Sequence, residues 1–598
     1  MKSYRYSLVF LICTALIMPA LVQAQVVDTW NEVIEETRGD TAVVLPGFGT
    51  LNDATAGDTT ATGERANPDR VYELKRGTYY YLSGDVSGKE SKLDIVGQKE
   101  DPANPTFPAI VCSGVNEDGS RATGELIDTD GDVTVKNFAL INYAPNGSQG
   151  FRTVQMNGDS SRLVIDNMIV SRTNWHTFAC YGEWYDVFAT NTIWVDGGVN
   201  VYNGRGICWD PEGLNVDTLI VENCTFYNNI GQQIKPWNDI VNFMWINHNT
   251  FLHTMKSPLW TKSYMNAYIT NNVFHDVNCY GVAEFEVETN GWDVFDYQPF
   301  ATVNVDTIEA IAVLEPWVGD TAEAWYPEAE AERRMLVHNN LHYRSDIIMD
   351  QINSFTTDSM PEYPGWVECP WMDERTEGIF ADDETWPHMV RGDLYDEQLN
   401  FASEETNKEL MTQYMRDEKA GAGHDTLYFW DPDGDPLLLT WPLHYDLSYT
   451  NSEPLTAAYG DLPLGDLNWF PEKKKEWESI KDQERADFVD IVDAGQVAIE
   501  EAVTKPHKFQ LKQNYPNPFN PTTNIEFKLK RADKVKLSIY NMLGQKVRTL
   551  VSKDMTPGAH KIQWNATNDL GEKVVSGVYF YKLQAGNHTE TRKMLLLK

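Results

Sequence analysis

Basic residues are scarce in this chain, its cysteines are scattered, and it has no long apolar run after the first few residues. Each shortage removes a class of function. Lys and Arg number 49 against 88 Asp and Glu, a formal net charge of −39 over 598 residues. Such a field repels nucleic acid and anionic membrane surfaces, so neither is an expected partner. The seven cysteines include no CxxC pair, which argues against a structural zinc site. Cys13 sits in the N-terminal apolar run without the small residues that precede a lipidated cysteine. Cys180 and Cys208 fall on successive repeats, where a disulfide or two buried thiols would fit. No segment after the N-terminus approaches 18 uninterrupted apolar residues, so no membrane-spanning segment is expected.

What is present begins with an export signal. Lys2 and Arg5 precede an apolar run from Leu8 to Ala20, and Val22-Gln23-Ala24 offers small-residue processing, so residues 1–24 read as a signal peptide. The body is organised around a repeat. LIVENCTFYNN from Leu219, FMWINHNTFLH from Phe243 and AYITNNVFHDV from Ala267 superpose, each with apolar and polar residues alternating. Each has Asn or His at one position and an aromatic three residues on. VTVKNFALINY, LVIDNMIVSRT and VFATNTIWVDG fit upstream, and MLVHNNLHYRS fits downstream. A period of roughly 24 residues is one turn of a parallel solenoid. The shared column, Asn137, Asn167, Asn191, Asn223, His248, Asn271 and Asn339, is expected to stack as a hydrogen-bonded ladder with strands about 4.8 Å apart.

The expected fold is all-β: a right-handed parallel β-helix, then an irregular and partly helical segment, then a small C-terminal β-sandwich. Residues 25–69 form a lead or cap, which the otherwise unpaired first strands require. The β-helix covers 70–354, with an insertion at about 289–334. Residues 355–504 are irregular and acidic, with a helix opened by Pro471. Residues 505–598 hold short strands at regular spacing. That last segment has 17 basic and 6 acidic residues, a balance of +11 that leaves −50 on the remainder.

Two resemblances follow from these motifs. YPNPFNP near Gln513, the strand pair around the Asn-Met-Leu-Gly turn, SGVYFYKL and the basic end resemble the C-terminal sorting domain of type IX secretion cargo. The resemblance implies recognition by the type IX machinery and a protein released or attached at the outer cell surface. The repeat over residues 70–354 resembles the pectate-lyase-like superfamily in pattern but carries no catalytic motif of a particular lyase or polygalacturonase. Residues 461–471 resemble a segment recurring in large secreted proteins of similar bacteria, which implies kinship but no activity.

A rod of parallel sheets offers a long groove suited to an extracellular polysaccharide. Trp209, Trp237 and Trp260 recur at similar places on successive coils and would serve as sugar platforms if exposed, with Arg152 beside them. For lyase or hydrolase chemistry the candidates are His176, Arg205, Asp210, Lys235 and Lys262, drawn from the same face. No spacing selects a pair among them, and each also fits as an ordinary solvated side chain. The sequence assigns no certain cofactor. Calcium is an option at Asp128, Asp130 and Asp132 or at Asp431, Asp433 and Asp435, although both stretches also read as plain turns. The alternative function is a non-catalytic surface or adhesive rod.

Overall fold

The computed structural model describes residues 30–58, 60, 65–197, 207–210, 215–235, 241–259, 264–279, 282–283, 302–303, 305, 330–354, 366–367, 370–403, 411–413, 437, 441–495, 510–511, 514, 517, 519–529, 533–542, 544–555, 558–585 and 588–597. The signal segment and most of the 289–334 insertion lie outside them. Three sheets wind around one core. The first has twelve strands, the second eleven and the third four. One coil runs through Arg162–Asp166 in the first sheet, Ile169–Ser171 in the second and His176–Cys180 in the third. Tyr185–Thr190 then returns to the first sheet in parallel register. This is the β-helix solenoid that the repeat implies.

Alternation decides what faces inward. Leu163, Ile165, Val187, Ala189, Leu219, Val221, Met244 and Ile246 are buried from the first sheet. The aromatic three residues past the ladder position also turns inward. Trp194, Phe226, Phe251 and Phe274 stack with ring centroids 4.6, 4.6 and 4.9 Å apart and interplanar angles of 8° or less. Aromatic rings on successive coils meet because parallel strands about 4.8 Å apart set them at an offset-stacking separation.

The ladder column is where the chain turns from the first sheet into the second. All seven members take positive φ, from 53° to 63°, a conformation that Asn tolerates better than other side chains. Asn167 Nδ2 donates to Asn137 Oδ1 at 2.9 Å, Asn223 Nδ2 to Asn191 Oδ1 at 2.7 Å, and Asn339 Nδ2 to Asn271 Oδ1 at 3.3 Å. An inner column follows it: Asn249 donates to Asn272, and Asn272 to Asn340, both at 3.0 Å. Between the third and first sheets the coils pass too closely for a side chain. A Cβ on Gly158 would stand 1.7 Å from the Asp130 carbonyl oxygen.

Both ends of the sheets extend past the 70–354 span. Thr41–Val44 pairs in parallel with Val71–Leu74, and Met389–Arg391 closes the first sheet at the other end. The N-terminal edge is capped by Ile34–Arg38, which runs antiparallel to Thr41–Val44. Its charges deter further pairing and bond to the next coil, Lys75 to Glu35 at 2.9 Å and Arg38 to Glu73 at 2.6 Å.

C-terminal segments then cover two of the three outer faces. Helices α1 (Pro471–Glu478) and α2 (Lys481–Ala494) follow the expected Pro471 start. Phe488 and Val492 of α2 pack on Ile220, Trp245, Tyr268 and Leu336 of the first sheet. Leu437, Trp441, Leu443, Tyr445, Leu447, Tyr449, Leu462 and Leu464 cover the outer side of the second sheet. Residues 511–596 form a separate core between a three-stranded and a four-stranded antiparallel sheet, with Trp564, Tyr581 and Ile539 at its centre. Buried thiols account for Cys112 and Cys224, and burial pushes Cys112 up to about 12. The side chain of Cys208 lies outside the described residues, and with it the pairing with Cys180.

Candidate functional site

The third sheet is built from Glu125–Thr129, Arg152–Met156, His176–Cys180 and Ile207–Asp210. Val154 and Phe178 point into the core, while Glu125, Asp128, Arg152 and Gln155 stay partly exposed on the other side. Arg152 lies in register between Glu125 and His176. Its guanidinium sits over the Phe151 ring at 4.6 Å and the Tyr181 ring at 5.3 Å, and Nη1 is 3.8 Å from Glu125 Oε1. Phe151 and Trp175 immediately precede their strands on successive coils, and the Trp175 N–H donates to the Phe151 carbonyl at 3.0 Å. Their rings are 5.0 Å apart, and Phe151 is 38% exposed. Asp128 Oδ1 accepts from Asn157 Nδ2 at 2.8 Å and from Gln155 Nε2 at 3.4 Å. Flat rings, a planar cation and a row of amides therefore lie along one face, the combination that holds a sugar ring by stacking and fixes it by hydrogen bonds.

Of the residues expected to carry a site, Arg152 and His176 come together, as register neighbours. His176 is only 2% exposed, and Lys235, on a later coil, is 4% exposed. Neither presents its side chain freely to a bulky chain. Trp209 and Asp210 occupy the register positions of Phe178 and Ala179, and their side chains are outside the described residues. Arg205, Trp237, Trp260 and Lys262 are wholly outside them. Phe151, Trp175 and Tyr181 were not among the sequence candidates. Their signal was present as an aromatic directly before the strand in GFRTVQM and NWHTFAC.

The acidic turn at residues 128–132 works as a turn. Asp132 Oδ1 accepts the Arg162 N–H at 2.8 Å, and Asp128 is engaged by amides. Among the described residues no group of three or more His, Cys, Asp or Glu is placed to hold a metal ion. Asp431, Asp433 and Asp435 lie outside the described residues.

Other titratable groups are sealed under the C-terminal cover. Glu484 of α2 is fully buried. It accepts from Asn271 Nδ2 at 2.8 Å, Asn247 Nδ2 at 3.2 Å and Trp477 Nε1 at 2.9 Å, and His248 Nε2 lies 3.3 Å away. Beside it, Glu222 accepts from Trp245 Nε1 at 2.9 Å, and burial raises its carboxyl above the usual range against the pull of Arg485. Asp466 accepts from Thr225 Oγ1 at 2.7 Å and Trp469 Nε1 at 2.9 Å, and burial likewise raises it. A second positive-φ column, Arg172, Asp196, Asn228, His253 and Asp276, is buried beneath Tyr445 and its neighbours. These clusters fasten the cover to the coils, and solvent does not reach them.

Comparison with known proteins bears on one part of the chain. Residues 513–597 match the family model of the secretion system C-terminal sorting domain. The chain therefore carries a type IX sorting domain and is a secreted or cell-surface-attached protein. Among solved structures, dimeric latent PorU from Porphyromonas gingivalis is similar at 18% identity and a TM-score of 0.14, over 14% of this chain and 9% of that one. PorZ, an essential surface component of the type-IX secretion system of the same organism, is similar at 20% identity and a TM-score of 0.12, over 14% and 11%. No curated protein matches the chain. No helix among the described residues is long and apolar enough to cross a membrane.

Proposed function

We propose that the β-helix is a cargo body that binds an extracellular polysaccharide along the outer face of its third sheet, in the manner of pectate-lyase-like proteins. The observation that carries this reading is the group of Phe151, Trp175 and Arg152 beside the amides of Gln155 and Asn157. With about −50 on the chain outside the tail, a neutral glycan, or an acidic one bridged by cations, is the favoured ligand. Cleavage is the narrower form of the reading. A lyase would use Arg152, or Arg205 or Lys262, as base, and a hydrolase would use Asp210 with a second carboxylate. The burial of His176 and Lys235 favours a second reading, a non-catalytic surface or adhesive rod that shares the binding face.

The test is incubation of residues 25–504 with a panel of neutral and acidic polysaccharides, with and without calcium. Unsaturated products, new reducing ends and retention are followed together. Retention without products makes the protein a binder, and products make it an enzyme. Neither retention nor products on any polysaccharide removes the glycan reading.

A further inference from the structure

Strand alternation in the tail puts two different chemistries on the two sides of its four-stranded sheet. Val535, Leu537, Ile539, Tyr581 and Leu583 are buried inward. The opposite side carries Lys534, Lys536, Lys546, Lys582 and Lys593. Register sets Lys546, Tyr540, Phe580 and Lys593 in one row across the four strands. Lys534, Lys536, Lys546 and Lys593 are exposed, and Tyr540 and Phe580 are half-exposed between them. An aromatic centre flanked by cations has the composition of an interface with an acidic protein surface.

A surface of that sign lies where the body ends. Asp490 and Asp493 are exposed in the last turns of α2, with Arg334 Nε 3.0 Å from Asp493 Oδ1. His388 Nδ1 bonds to the Val492 carbonyl at 2.8 Å, which brings exposed Asp383 and Glu384 close to the same helix end. The partial negative charge of the helix C-terminus adds to theirs. Residues 496–509 then lead into the tail, and fourteen residues span at most roughly 50 Å. The tail is thereby held near this surface at an effective concentration on the order of millimolar, so a weak contact suffices to populate a docked state. A free partner would need a much higher affinity for the same occupancy.

We propose that the lysine face of the sorting domain docks on the acidic end of α2 in the same chain, so that the tail is held against its cargo by charge. This is independent of the glycan reading, since it uses the opposite end of the chain and no residue of the third sheet. The test is carbodiimide cross-linking of the full chain at low salt and at 0.5 M NaCl, with the linked peptides mapped. Lys536 and Lys582 should link to Asp490, Asp493, Asp383 or Glu384, with yields falling at least fivefold in high salt. In the paired variants K536E/K582E and K536Q/K582Q the links read at the remaining lysines of the face, Lys546 and Lys593, should show the same fall, with unchanged melting of the tail. Links spread equally to Lys561 and Lys573 would overturn the proposal, as would no links at all. Links found only between isotopically distinct chains would assign the face to a second copy. Retention of the wild type, but not the variants, on phosphatidylglycerol vesicles without internal links would assign it to a membrane. Either result would also overturn the proposal.

Discussion

Replacing Glu484 is the sharpest test of how the C-terminal cover is fastened to the coils. The carboxylate is fully buried and serves the Asn271 amide, the Asn247 amide and the Trp477 indole, with His248 at 3.3 Å. Glu484→Ala strands three buried donors, each costing roughly 1–3 kcal/mol when left unpaired. Partial relaxation and entry of water recover some of this, so a net loss of about 3–5 kcal/mol is expected, in line with removing one partner of a buried charged network. Glu484→Gln keeps one acceptor and the shape, and should cost about 1–2 kcal/mol. The assay is guanidinium unfolding of residues 25–504 followed by tryptophan fluorescence, to which Trp477 reports directly, and by helical circular dichroism. Loss of the α2 signal ahead of the β signal is expected in the Ala variant. An Ala variant within 1 kcal/mol of wild type, or a Gln variant as damaging as Ala, would refute the reasoning.

Three further outcomes follow from the same geometry. Asn223 combines φ of 57° with bonds to Asn191 and Asn468. Asn223→Ala should therefore lose about 1 kcal/mol more than Asn223→Gly, which shares the lost bonds but not the backbone strain; chemical denaturation of the pair measures the difference. Gly158→Ala places a methyl 1.7 Å from a backbone oxygen. It should destabilise the coil by roughly 1–3 kcal/mol in calorimetry, whereas Ala at Gly124, which has open space around it and no positive φ, should cost less. His342, half-buried against Trp371 and near Arg344, is held down to about 3 from 6.5, chiefly by burial. A depressed base is neutral when folded, so its contribution is present above pH 6.5 and lost as pH falls towards 3, at a slope of at most about 1.4 kcal/mol per pH unit. His342→Gln should flatten that part of a stability–pH profile.

Features that repeat every coil were legible in the sequence. Asn at one position and alternating apolar residues led to the ladder and the parallel sheets, because stacking like on like leaves the same mark in every repeat. The aromatic three residues later was legible without its inward stacking. The tail was legible for a similar reason, since its turns and strands form a compact motif. Other features were not. Gly131, Gly158 and Gly182 mark the third turn, but their close backbone approach depends on how tightly coils pass, which spacing alone does not reveal. The cover formed by α2 and residues 437–470 brings Glu484 to Asn271, residues 213 positions apart in sequence, and no local pattern encodes that meeting. At the candidate site Trp209, Trp237 and Trp260 drew attention by recurring on later coils, whereas Phe151 and Trp175 mattered by standing one residue ahead of a strand. His176 and Lys235 looked available because they were charged or titratable, and burial changed their meaning.

The central claim is that the third-sheet face of the body takes up a glycan through the Phe151–Trp175 rings. Affinity electrophoresis of residues 25–504 through gels containing each polysaccharide tests it most directly, with wild type run beside the F151A/W175A variant. Retardation by at least one polysaccharide, weakened tenfold or more in the variant while its melting temperature is preserved, is the predicted result, since each stacked ring contributes roughly 0.5–1.5 kcal/mol beyond its buried area. Equal retardation of the two proteins, or none by any polysaccharide, contradicts it.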